Sequence, residues 1–273
     1  MQSAEWKEVK DQAVRYFALQ GHPGLAGIRH AFSTRVGGVS PPPFASLNLG
    51  FSTPDAPGNA EINRIRFLQA LAAKTNRLCT LRQVHSSRVH WIDSPGEAPA
   101  PPPEGDALVT DKPGVLLGVL TADCTPLLLV DPQKRVVAAV HAGWKGSAAG
   151  IIEETLQVMT VAMDCGPSGL IALLGPAIGR CCYQVGPEVR QAFLRRYTYS
   201  DAFFSPDGST SPREARWKLD LPSFQQLLLL HCGLLKENIF TLPLCTSCRE
   251  DLFYSYRRDG KLTGRMLSVI GFC

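Results

Sequence analysis

Three short and almost uninterrupted apolar runs lie close together in the middle of the chain: VLLGVL (115–120), PLLLVD (126–131) and VVAAVHAG (136–143). Each is short for a helix and too apolar for a strand with one wet face, so all three predict strands buried on both sides. Such strands need material above and below them, which demands a layered protein with a sizeable core. The chain can supply one: of its 273 residues 45% are hydrophobic and only 19% charged. That length fits one large domain or two fused lobes.

Elsewhere the patterning is mixed. GIRHAFSTR (27–35), LIALLG (170–175), IFTL (239–242) and LSVIGF (267–272) read as further strands, and CTLRQVH with RVHWID as two strands around a turn at Ser86-Ser87. Near-helical spacing of Trp6, Val9, Ala13, Val14 and Phe17 predicts an amphipathic helix over 3–20, ended by Gly21 and Pro23. Further helices are expected over 59–74 with Asn59 as cap, 147–163, 187–197 and 220–232. The proline cluster SPGEAPAPPPEG (94–105) reads as a surface loop, because apolar strands resume directly after it. Without a regular βα alternation the expected class is α+β, built on a large mixed sheet or on two packed sheets.

Charge excludes more than it suggests. Lys plus Arg is 28 against 24 for Asp plus Glu, spread along the chain, so no nucleic-acid footprint is expected. No uncharged apolar run reaches the length of a membrane span, and the N-terminus lacks a signal-peptide pattern. Nine cysteines, an odd number at irregular spacing, argue against a disulfide framework and for a reducing, cytoplasmic setting.

Chemistry concentrates at three strand ends. His85 closes RQVH, Cys124 lies in TADC, and His141 opens HAGW, at separations of 39 and 17 residues. Two imidazoles and a thiolate suit zinc with a fourth position left open. A thiol nucleophile, Cys124, with His141 as base is the competing chemistry, and a buried cysteine between satisfied histidines is the bland alternative. Spacing does not separate these. Asp106 and Asp123 are candidates to orient ligand histidines. Cys245-Thr-Ser-Cys248 resembles half a zinc ribbon without a second pair; Cys181 and Cys182 are the only other adjacent cysteines, and scaffold use is expected of both. His22, His30, His90 and His231 are expected to be unremarkable, and Gly37, Gly38 and Gly50 to make turns rather than cradle phosphate.

Seven ordered blocks then carry a family resemblance: FSTRVGGVS with SLNLG, EINRIRFLQAL, RQVHSSRV, GDALVTDKPGVLLGVLTADCTPLLLVD, AAVHAGWKGSAAGIIEETL, GPAIGRCCYQVGPEV and FYSYRRDGKLTGRM. From about residue 27 to 272 the chain resembles the laccase-domain, multicopper polyphenol oxidase-like family, which includes purine nucleoside phosphorylases and a factor linked to peptidoglycan editing. The resemblance implies a single α+β domain over 26–273, a layered sandwich of two packed mixed sheets flanked by helices, with 1–25 as a helical extension. It implies zinc on His85, Cys124 and His141, with copper as the other candidate ion, and a pocket lined by Arg35, Asn48, Arg64, Lys145 and Arg258. Lys145 stands where the family often has arginine, keeping the charge but losing bidentate geometry.

Laccase chemistry itself does not fit. Six histidines with no His-x-His element, and Cys124 between Asp123 and Thr125, cannot ligate four coppers. The family's other activity is physically coherent: phosphorolysis of adenosine, inosine, guanosine or a methylthio analogue, with adenosine deamination as a companion reaction. The expected partners are therefore a purine nucleoside and phosphate, with no nucleic acid or membrane, acting on a monomer. The rival activity is a cysteine hydrolase or amidase acting on peptidoglycan precursors through Cys124, and the third reading is a non-catalytic zinc-dependent binding partner of that pathway.

Overall fold

Side chains along residues 125–131 alternate between two separate cores: Leu127 and Leu129 face one, Leu128 and Val130 the other. This is the period of two that a strand imposes, with both faces covered. The computed structural model describes residues 4–73, 77–94, 101–208 and 216–272. Its strands are β1 (Glu5–Asp11), β2 (Val14–Gln20), β3 (Ile28–Ser33), β4 (Arg77–Cys79), β5 (Val89–Ile92), β6 (Ala107–Thr110), β7 (Val115–Thr121) and β8 (Thr125–Asp131). They continue with β9 (Val136–Ala142), β10 (Ile171–Leu174), β11 (Gln184–Val185), β12 (Phe204–Pro206), β13 (Trp217–Leu219), β14 (Ile239–Thr241) and β15 (Met266–Phe272).

Two six-stranded mixed sheets, ordered β1-β2-β3-β15-β7-β4 and β14-β10-β8-β9-β6-β5, form the body, beside a small sheet β11-β13-β12. Phe32, Leu117 and Ile270 of the first large sheet meet Leu128, Val137 and Leu173 of the second in the layer between them. The outer face of the first sheet is covered by α1 (Pro57–Ala70) through Phe67, joined by Leu47 and Leu49 of the preceding loop. The outer face of the second is covered by α3 (Ile151–Gln157), α4 (Pro187–Leu194) and α5 (Leu221–His231), through Ile152, Phe193 and Phe224 among others. The α+β class and the two packed mixed sheets are as expected. No helix among the described residues is long and apolar enough to cross a membrane.

Three local expectations are corrected. The segment 3–20 is not a helix where it is described: β1 and β2 form a hairpin that extends the first sheet, with Tyr16 opposite Ser33 and Phe17 opposite Phe32. Along β2, Phe17 and Leu19 pack between the sheets while Val14 and Tyr16 face outward onto the other core, so the operative period is two. The described part of the expected helical extension, residues 4–25, holds this hairpin and a short 3-10 turn at Pro23–Leu25 and no α-helix. The expected hairpin around Ser86-Ser87 is also absent, for β4 pairs with β7 in the first sheet and β5 with β6 in the second. The helix expected over 147–163 is divided into α2 (Trp144–Ala149) and α3 by Gly150, at φ +91°. A fourth difference is small: helix α1 begins at Pro57 after Ala56, which makes no side-chain cap bond, and Asn59 lies inside its first turn. Of the proline-rich loop, residues 95–100 lie outside the described residues.

Candidate metal centre

Where the chain crosses from β7 in the first sheet to β8 in the second, Asp123 takes φ +89°, a conformation that costs a non-glycine residue. That bend presents Cys124. His85 also has a positive φ, +59°, in the loop that carries the chain from β4 to β5, again between the sheets. His141 lies near the end of β9, opposite Pro126. The three donor atoms come within 4.8 Å of one another. Cys124 Sγ is 3.9 Å from His85 Nε2, and the two imidazoles stand edge to face at 4.8 Å.

Asp106 organises the group. Its buried carboxylate accepts the backbone N–H of His85 at 3.0 Å and of Ser86 at 2.6 Å, holding the loop in its bend. It also stands 2.8 Å from His141 Nδ1, which fixes that ring and leaves Nε2 toward Cys124. Burial pushes the Asp106 carboxyl up, but the bonds from His141 and Ser86 outweigh it and bring it down to about 2. Asp123, the other expected orienter, does something different. Its carboxylate accepts from Thr246 Oγ1 at 2.6 Å and from the Arg257 N–H at 2.6 Å, tying the 246–257 segment to the cysteine loop.

The cysteine and His141 stabilise each other's charge. Burial pushes the Cys124 thiol up, but the His141 charge and bonds from both imidazoles bring it down to about 6. Burial likewise disfavours charged His141, yet the thiolate and Asp106 raise it to about 9. A group this compact, with a thiolate and two imidazole nitrogens converging, fits a three-ligand metal site with an open fourth position. Glycine at 143 makes room for it: a Cβ there would stand 2.7 Å from Cys124 Sγ and 3.3 Å from the His85 ring.

The other residues named from sequence divide. Arg35 and Arg258 share a cleft of about 550 Å³ with Glu250 and Asp251, and the three donors lie outside its lining. Arg258 has all its N–H groups engaged, by Asp259 and the carbonyls of Thr246, Ser247 and Phe253, so it clamps this loop. Arg35 stacks on Tyr254 at 4.6 Å and donates to the carbonyls of Ala45 and Glu250. Asn48 is fully buried, bonding Gly50, Thr53, Asp55 and the Arg265 N–H, and spends its polar atoms on the loop. Lys145 is exposed beside Trp144. Arg64 donates to the Leu49 carbonyl and lies over Phe51 at 4.2 Å; burial holds its guanidinium at about 10. The four remaining histidines bond or pack locally, for example His90 with the Glu104 carbonyl and His231 against Tyr199.

Two features escaped the sequence reading. Arg265, inside the TGRM block, donates to the carbonyls of Thr263 and Gly264, and burial lowers its pKa against the opposing pull of the charges at Cys124, Tyr256 and Asp123. Neither it nor Arg64 is paired with a carboxylate among the described residues. The second is a further set of donors: Cys181, Cys182, Cys245 and Cys248 also converge within 4.8 Å.

The model of a family described as multi-copper polyphenol oxidoreductase laccase matches residues 29–273. The chain belongs to this family. A relative from Deinococcus radiodurans named purine nucleoside phosphorylase is 41% identical over 91% of this chain and 90% of its own. Purine nucleoside phosphorylase YlmD from Geobacillus stearothermophilus is 35% identical over 97% of both chains. A crystal structure of YlmD from that organism superposes with a TM-score of 0.85 at 33% identity, covering 97% of this chain and 98% of that one. These relatives of the chain are thus named for phosphorolysis rather than for polyphenol oxidation.

Proposed function

We propose that this chain is a zinc-dependent purine nucleoside phosphorylase that converts adenosine and phosphate to adenine and ribose 1-phosphate. The observation that carries the reading is the three-donor cluster of His85, Cys124 and His141. The names of the relatives support it. Two imidazoles and one thiolate favour zinc over copper as the ion. When bound there, the metal supplies Lewis-acid polarisation of an oxygen or nitrogen at the reacting centre.

The protein's own groups account for the rest of the reaction. Arg64 and Arg265 are partly buried cations that bond backbone carbonyls and have no carboxylate partner among the described residues, an arrangement that favours a bound anion such as phosphate. Phe51, exposed to 51%, lies against Arg64 and offers a face on which a purine can stack. Ribosyl transfer develops positive charge on the sugar as the base departs, so phosphate held beside it both attacks and neutralises. Asp106, which touches no substrate in this scheme, keeps His85 and His141 in register. Inosine, guanosine and methylthioadenosine present the same reacting bond, and deamination of adenosine is a companion activity at the same centre.

The test is adenosine consumption by zinc-loaded protein with and without phosphate. Phosphate-dependent release of adenine and ribose 1-phosphate is expected; inosine formed without phosphate reports the companion reaction. A zinc-loaded protein that turns over no purine nucleoside sinks the proposal. One observation favours a second reading, a cysteine hydrolase: Asp106, His141 and Cys124 stand in the order of an acid, base and nucleophile relay. Activity that survives chelation but not thiol alkylation would select it.

A further inference from the structure

Four thiols from two distant stretches of chain meet beside the centre just described. Cys181 and Cys182 lie in a turn that follows β10, closed by the Cys182 and Tyr183 N–H groups on the Gly179 carbonyl. Cys245 and Cys248 lie in a second tight turn after β14, closed by the Arg249 N–H on the Cys245 carbonyl. Backbone pairing sets these turns face to face, through the parallel bridge between Ala177 and Cys245 and the bond from the Thr246 N–H to the Ala177 carbonyl.

The convergence is not the packing of apolar side chains. Cys181 and Cys248 are exposed, the other two are half-buried, and all four are free. Yet Cys248 Sγ stands 3.5 Å from Cys181 Sγ and 3.4 Å from Cys182 Sγ, with all four sulfurs within 4.8 Å. A thiol is a weak donor and a weak acceptor, so four thiols gain little from one another's company. Four sulfurs about 2.3 Å from one zinc ion would stand about 3.8 Å apart, which is the spacing found here to within the reach of a side-chain rotation. The backbone N–H of Gly179 points at Cys245 Sγ from 3.2 Å, as a bond to a thiolate ligand does. Lys218 donates to the Cys181 carbonyl at 3.3 Å and brings a positive charge to the edge of the cluster.

We propose that Cys181, Cys182, Cys245 and Cys248 form a second metal site, a tetrathiolate that binds zinc. Four protein ligands close the coordination sphere, so the site is structural. Binding converts the four thiols to thiolates and releases their protons to solvent. Its consequence is local. The ion ties the 181–183 turn to the 245–248 turn, between whose cysteines Thr246 bonds Asp123 and offers its carbonyl to Arg258. Between Ala177 and the 181–183 turn, the Ile178 N–H bonds the carbonyl of Asp123, the residue before Cys124, at 2.9 Å. The second zinc therefore staples the wall against which the first site is built. This inference stands apart from the phosphorolysis reading, because no step of that reaction uses these cysteines.

Metal analysis of the protein purified without chelator tests it. About two zinc ions per chain are expected, falling to one in Cys248→Ser and in Cys181→Ser. The reciprocal variant, Cys124→Ala, leaves the four cysteines untouched; it is expected to keep one zinc and, after exchange with Co(II), to show the thiolate-to-cobalt charge-transfer absorption of a tetrathiolate. That arm holds even where a cysteine-to-serine variant fails to fold. One zinc per chain in the wild type that Cys248→Ser retains, a Cys124→Ala protein without metal, iron in place of zinc, or a disulfide among these cysteines in protein kept under reductant would each overturn the assignment.

Discussion

Asp106 is the residue on which the centre most depends. Its two oxygens reach both the loop of His85 and the ring of His141, so it fixes two ligands that come from different elements. Asp106→Asn keeps the size but loses the charge, and an amide cannot accept from the imidazole and from the Ser86 N–H with both oxygens. Metal affinity at this site is expected to fall about 10–100-fold, measured by competition with a chromophoric chelator. An unchanged affinity would show that the ligands are held without it. The thiol has its own signature. In metal-free protein Cys124 is thiolate above about 6, against about 8.5 for an ordinary cysteine. Its alkylation rate is therefore expected to rise with a midpoint near 6, and His141→Ala should move that midpoint upward. The sign for stability follows from the same pair. The lowered Cys124 value makes its contribution vanish as pH falls through about 6, and the raised His141 value makes its own vanish as pH rises through about 9.

At the level of elements, legibility tracks burial. Strands β7, β8 and β9 were readable because both faces are covered and their central positions are apolar, which leaves little room for another reading. The N-terminal hairpin was not. Residues 5–11 are mostly exposed and alternate with charges, so they carry a helical and an extended pattern at once. Only the pairing of β2 with β3 decides between them. A test at this scale is Phe17→Ala. The side chain is 8% exposed and packs 6.1 Å from the Phe253 ring, in the layer between the large sheets. Its loss is expected to cost about 3 kcal/mol, near the low end for a buried phenylalanine because the strand is close to the sheet edge. Urea denaturation measures this; a main transition that does not move would mean the hairpin is detachable from the domain.

At the scale of the molecule, the metal centre is a seam. His85 and Cys124 lie on chain crossings between the two large sheets, and His141 ends a strand of the second. The sequence made the three donors visible as unusual residues at strand ends, and the seven blocks made them specific. It could not show that CC and CxxC would meet across more than sixty residues. That is a property of the tertiary fold alone. An ion that joins ligands from both sheets is bound by the folded chain and not by the unfolded one, so it stabilises the whole molecule by RT ln(1 + [Zn]/Kd). At a free zinc concentration about a thousand times Kd this amounts to about 4 kcal/mol. Chelation is therefore expected to lower Tm by several degrees, with Tm rising again on zinc addition in proportion to the logarithm of its free concentration. Asp106→Asn should displace that line toward higher zinc by the same 10–100-fold factor as its loss of affinity. A Tm indifferent to chelator would place the metal outside the folding equilibrium and separate the seam from the stability of the fold.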